Sequence, residues 1–180
     1  MITEEYPDLN SQIDSLIADL HNDDGLIRQR ARLGLIDIGH EAVPALINVV
    51  QQDKGPARWE AIEALSRLSA PDAVPALIEA LMDGDTGHRW AASNALITQD
   101  RAALKPLFEA LIQGRAFGSA QFREVAHHIL HVLKDRHRLL PKEIRVLEAL
   151  EGVEPEAKVP WAAEAALEQL EYNKTRRWIP

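Results

Sequence analysis

The sequence predicts an all-α fold: an α-solenoid (an α–α superhelix) of about five helical hairpins, or about ten helices. Three observations lead there. An apolar pair four residues apart recurs at Leu16/Leu20, Leu46/Val50, Leu77/Leu81, Leu107/Leu111 and, more loosely, Val146/Leu150. Between these pairs an alanine is followed four residues later by a leucine, at Ala31/Leu35, Ala61/Leu65, Ala92/Leu96, Ala126/Leu130 and Ala163/Leu167. Residues four apart share one helical face, so each series marks an amphipathic helix. The third observation is the spacing. The first three units recur at 30 and 31 residues, with 15 residues from the first marker to the second in each. A unit of that size cannot bury its apolar face alone and must stack on its neighbours.

Taken in order, the helices fall at about 8–21, 24–38, 42–52, 57–69, 73–83, 87–98, 102–113, 119–135, 141–151 and 157–173. Pro44, Pro75 and Pro106 suit a first helical turn, where a missing N–H costs nothing. Asp24, Asp72 and Asp100 stand where N-caps are needed. Glycines such as Gly39, Gly55 and Gly84 fall between the periodic segments. The units run about 8–39, 40–70, 71–99, 100–136 and 137–173, with a tail at 174–180, and form one domain. The fourth departs from the template: Leu107 to Ala126 is 19 residues, which places an insertion at 113–118 carrying Phe117. Such insertions map to loops. The tail is basic and carries Trp178.

The motifs are specific enough to compare. Units built on Pro44-Ala45-Leu46-Ile47 and Pro75-Ala76-Leu77-Ile78, followed by Arg58-Trp59-Glu60-Ala61 and Arg89-Trp90-Ala91-Ala92, resemble HEAT-like repeats of the phycobilisome-lyase type. The likeness is good in the first three units and looser in the last two. It implies that an arginine near the start of each second helix pairs with an acid of the preceding loop. Asp24–Arg28, Asp53–Arg58 and Asp85–Arg89 have that spacing; Arg123 lacks the acid, and Pro160 replaces the arginine in the last unit. It also implies a protein or peptide partner held by a non-enzymatic scaffold. A bilin-lyase-like or chaperone-type accessory subunit is the alternative, with no chromophore-handling residue to carry over. A HEAT-like DNA glycosylase is a more distant one.

Composition narrows these choices. The formal net charge of −8 opposes a general nucleic-acid binder, which needs a positive field along the phosphates. The chain has no cysteine, hence no disulfide or thiolate metal site. No charged-then-apolar leader opens the sequence and no apolar run approaches a membrane span, so a cytoplasmic protein without a membrane partner is expected. No nucleophile stands beside a base and no glycine-rich phosphate loop occurs, so no catalytic residue and no cofactor are assigned.

Helical geometry selects a binding face. Around the second helix of unit two, Ala61, Ile62, Leu65 and Leu68 point together to the core. At about 100° per residue, Trp59, Glu63 and Ser66 cluster opposite. The equivalent places are Gln29, Leu33 and Ile36; then Trp90, Asn94 and Ile97; then Glu124, His128 and His131; then Trp161, Ala165 and Glu168. Three of the four tryptophans thus occupy one position of the repeat. The partner-binding face is read as Trp59, Glu63, Ser66, Trp90, Asn94, Ile97, Glu124, His128, His131 and Trp161, on the concave side lined by the second helices. The indoles either anchor a partner or lie over the seams between repeats. His127 and His131, four apart beside Glu124, form a weak H-x-x-x-H signal with no third fixed ligand, and no metal is assigned.

Overall fold

The computed structural model describes residues 8–113 and 119–176; Phe117 and Trp178 lie outside them. Among the described residues there are ten α-helices and no strand. They are α1 (Leu9–Asp19), α2 (Gly25–Ile38), α3 (Val43–Gln52), α4 (Pro56–Leu68), α5 (Val74–Ala80), α6 (Thr86–Thr98), α7 (Leu104–Ile112), α8 (Ala120–Asp135), α9 (Pro141–Glu151) and α10 (Pro155–Arg176). Their number and order follow the sequence reading. The repeated markers form the core: Leu20, Leu46, Val50, Leu77, Leu81, Leu107 and Leu111 from the first helices are buried, as are Ala31, Leu35, Ala61, Leu65, Ala92, Leu96, Ala126 and Leu130 from the second. The small alanines let adjacent second helices approach closely, and the leucines fill the space below them.

The helix starts differ from expectation in an instructive way. Short 3-10 turns at Gly39–Ala42, Pro71–Ala73 and Asp100–Ala103 lead directly into α3, α5 and α7. Each of these helices is entered with helical backbone already in place, so an aspartate cap has no role there. Asp72 lies within its 3-10 turn and Asp100 has φ of 53°, so neither is an N-cap. Asp24 does cap α2, accepting from the Leu26 N–H at 2.8 Å. Asp8, Asp85 and Ser119 cap α1, α6 and α8 in the same manner. Gly39, at φ 90° and ψ −142°, turns the chain between α2 and α3. Residues 25–52 are apolar enough for a membrane span by composition. Gly39 divides them into helices of 14 and 10 residues, each short of the ~20 a crossing requires.

Two rows of helices result. On one side α2, α4, α6 and α8 stack in order; on the other, α1, α3, α5 and α7 do. The second helices pack on one another more extensively than the first helices do. The order changes at the C-terminal end. There α9 packs on α8, and α10 packs on α9 and α7. The last hairpin is therefore exchanged between rows: α10 continues the row of first helices.

The arginine series also differs from what the resemblance implies. Arg28 donates to the carbonyls of Asn22 and Asp23 at 2.8 and 2.9 Å, and Arg89 to those of Asp83 and Gly84 at 2.7 and 3.2 Å. Arg58 reaches the Asp53 carbonyl at 3.4 Å and, more closely, the Asp83 carboxylate of the next repeat at 2.6 Å. The carboxylates of Asp24 and Asp85 are engaged by backbone N–H groups of the following helix. Orphan carbonyls just past a first helix therefore take the guanidinium, and orphan N–H groups opening a second helix take the acid. Arg123, which has no acid at the repeat spacing, donates to Glu156 of α10.

Candidate functional site

The open face of the second helices carries most of the stripe read from the sequence. Trp59 on α4 is 38% exposed and Trp90 on α6 is 57% exposed. Glu63 and Asn94 are half-buried beside them, and Glu124 on α8 is exposed. Among the described residues no salt bridge engages Glu63 or Glu124. Ser66 is half-buried, with its carbonyl accepting from the Thr98 hydroxyl at 3.1 Å. His131 is exposed and faces Asp135 one turn on, at 3.3 Å.

Two residues leave the stripe. Ile97 is 5% exposed and belongs to the core. An interior helix has neighbours on both flanks, so the arc it leaves open is narrower than the three-position rule allows. Trp161 is 74% exposed, but α10 packs on α7 and α9, so this indole does not follow Trp90 as a further rung. Leu33, 49% exposed, continues the open face onto α2, whereas Ile36 packs partly against the core.

Each of the two remaining indoles has a neighbour across a seam. The Arg32 guanidinium of α2 lies 5.5 Å from the centre of the Trp59 ring and donates to Glu60 at 2.8 Å. Trp90 stacks on His128 of α8, with ring centroids 4.9 Å apart and planes 29° from parallel. Beside that stack, between the N-terminal halves of α6 and α8, is an open cavity of about 380 Å³ bordered by Arg89, Trp90, Ser93, Gln121, Glu124 and His128 among others. Ser93 is fully buried and its hydroxyl has no hydrogen-bond partner.

Arg32, Ser93 and His127 were missed as members of this face. All three follow the repeat alanine directly, a register that holds the buried Ile62 in the second unit. Polar residues at a place where one copy is apolar were the available signal.

The histidines of α8 share a face as their spacing requires. His127 and His131 have ring centroids 5.8 Å apart, and His127 lies 3.0 Å from Glu151. Among the described residues no group of three His, Asp or Glu side chains is arranged to hold a metal ion.

A second polar cluster joins repeats behind the face. Asp83 accepts from Arg58 at 2.6 Å and from the Asp85 N–H at 2.7 Å, with His88 at 3.4 Å. Burial pushes the Asp83 carboxyl up; the Asp85 N–H, Arg58 and His88 outweigh it, and the net shift is below the ordinary value.

Comparison with known proteins agrees with the architecture. Residues 13–97 match the family described as HEAT repeats. No curated protein matches the chain in sequence. A solved structure, the complex of CpcE and CpcF of phycocyanin lyase from Nostoc sp. PCC7120, contains a chain 23% identical, with a TM-score of 0.56. The match covers 87% of this chain and 98% of that one. The similarity is one of fold: a HEAT-like α-solenoid of the type found in that lyase.

Proposed function

We propose that this HEAT-like repeat chain is a non-enzymatic interaction module that holds a protein or peptide partner on the concave face of its second helices. The observation carrying this reading is the pair of solvent-facing indoles on adjacent second helices, Trp59 and Trp90, flanked by Glu63, Asn94 and Glu124. Large aromatics at the centre of a surface, with polar groups around them, are the usual anchors of protein interfaces. The closer packing among second helices supports curvature toward that side, since the inner row of a curved stack is the crowded one. Glu63, Ser66, Asn94, Glu124, His128 and His131 supply hydrogen-bonding groups along the same hollow.

Affinity capture with the purified chain tests this. A specific partner retained by the native protein is expected to be lost from both Trp59→Ala and Trp90→Ala. Undiminished retention by the double variant would contradict the reading.

An accessory subunit of a lyase-like enzyme is the second reading. It is favoured by the match over nearly the whole length of a chain from a two-protein lyase complex. Co-expression with a bilin-carrying protein and a related repeat subunit, read by visible absorption, separates the two. A changed chromophore spectrum supports the accessory role, and an unchanged one removes it.

A further inference from the structure

On the same row of second helices the protein already holds one of its own arginines against an indole. At the α2–α4 seam, the Arg32 guanidinium covers the Trp59 ring at 5.5 Å and donates to the Glu60 carboxylate at 2.8 Å. This is an arginine held by an indole and an acid together. Trp90 occupies the Trp59 position one repeat later, but the residue of the preceding helix that corresponds to Arg32 is Ile62, which is fully buried. Among the described residues no guanidinium covers Trp90; His128 stacks on it from α8, and the ring is still 57% exposed where Trp59 is 38% exposed. An acid stands across the seam instead: Glu124 of α8 borders the cavity and has no ion pair among the described residues. The Ser93 hydroxyl, buried and without a partner, supplies a further acceptor, and the Gln121 amide stands beside it.

We propose that this cavity receives one arginine side chain of a protein partner, its guanidinium laid against the exposed edge of the Trp90–His128 stack and its N–H groups shared between Glu124 and Ser93. The inference rests on the interaction-module reading and names what that face recognises. Chemistry favours arginine over other side chains. The free groups are chiefly acceptors next to a π surface, and a guanidinium is planar, carries five donors and stacks on indole. Arg89 also borders the cavity, with its guanidinium turned to the carbonyls of Asp83 and Gly84 and the Thr86 hydroxyl. A volume of about 380 Å³ suits one large side chain with its hydration, at the small end of ligand cavities. The desolvated Ser93 hydroxyl costs free energy while unpaired, so a donor brought to it is rewarded.

The test uses the full chain, labelled with ¹⁵N, and N-acetyl-arginine methylamide as the probe. The indole N–H signal of Trp90, assigned with Trp90→Phe, is followed through a titration. A saturable shift is expected, with the analogous norleucine amide producing none. Glu124→Gln, on an exposed position that leaves the fold intact, should weaken the response about fivefold or more, and added salt should weaken it further. Absence of a saturable shift, an equal response to norleucine, or an equal response to the lysine analogue would each overturn the assignment of arginine. Because the probe is a single residue, such a result leaves the module reading to stand or fall on partner capture with the tryptophan variants.

Discussion

From α1 to α6 every helix packs on neighbours one or two places along the chain; at the C-terminal end α10 breaks that rule, crossing back three places to α7. The polar contacts follow the same division. In the first part, Arg28 and Arg89 bind carbonyls of the loop just before their own helix, and Arg32 and Arg58 reach one repeat ahead. In the second part, Arg101 pairs with Glu143, Asp100 with Arg138 and Lys105 with Glu171, joining segments 38 to 66 residues apart. A regular repeat needs only local rules to assemble. Where the period lapses, ion pairs of long sequence separation set which helix meets which.

The largest effect should come from breaking the irregular end. Glu143 is fully buried, accepts from Arg101 at 2.7 and 3.0 Å, and also caps α9 through the Leu140 N–H at 2.7 Å. Arg101→Ala strands that carboxylate and should cost about 3 kcal/mol, the low end for a broken buried pair because Arg101 is itself about a third exposed. Denaturant unfolding measures it, and a loss below about 1 kcal/mol would mean the C-terminal hairpin is held by apolar contact alone.

Gly39→Ala strikes the regular part instead. Its φ of 90° with ψ of −142° is a backbone region open essentially to glycine, so an added Cβ should cost about 2 kcal/mol by the same measurement.

Acid separates the two regions further. Asp83 and Asp100 are both held below the ordinary 3.8. For Asp83 burial opposes the shift, and the Asp85 N–H and Arg58 prevail; for Asp100 the Arg138 hydrogen bond leads. A depressed carboxyl stabilises the fold above its unfolded value and loses that contribution as pH falls through its folded one. Asp83→Asn and Asp100→Asn should therefore each be less stable than the native chain at neutral pH. That difference should shrink below about pH 3.8. High salt should erase more of the Asp100 effect, because the Arg138 side chain is half exposed while Arg58 and Asp83 are largely shielded.

Smallest of all should be Trp90→Ala, whose indole faces solvent: a stability change under about 1 kcal/mol, against a complete loss of partner binding. A large destabilisation would make the ring a seam filler.

The fold was legible because a period of 30 to 31 residues repeats the same burial problem, and buried alanines and leucines answer it in each copy. The directions of Trp59 and Trp90 were legible for the same reason, since angular arithmetic on one helix transfers to its equivalents. Ile97 was misplaced because a helix drawn alone has no flanking neighbours. The exchange of α9 and α10 was hidden because Val146 and Ala163 mark helices without saying which row each joins. Arg32 over Trp59 escaped notice because two side chains on different helices meet only once the stacking offset is known.

The central claim is that partners dock on the second helices, and a photo-crosslinking residue tests it most directly. Placed at Asn94, half-buried on α6 between the indoles and the histidines, it should form a covalent adduct with a partner protein. Placed at Glu79, exposed on α5 in the row of first helices, it should form none. An adduct from Glu79 and none from Asn94 would put the docking surface on the opposite side of the molecule and contradict the account.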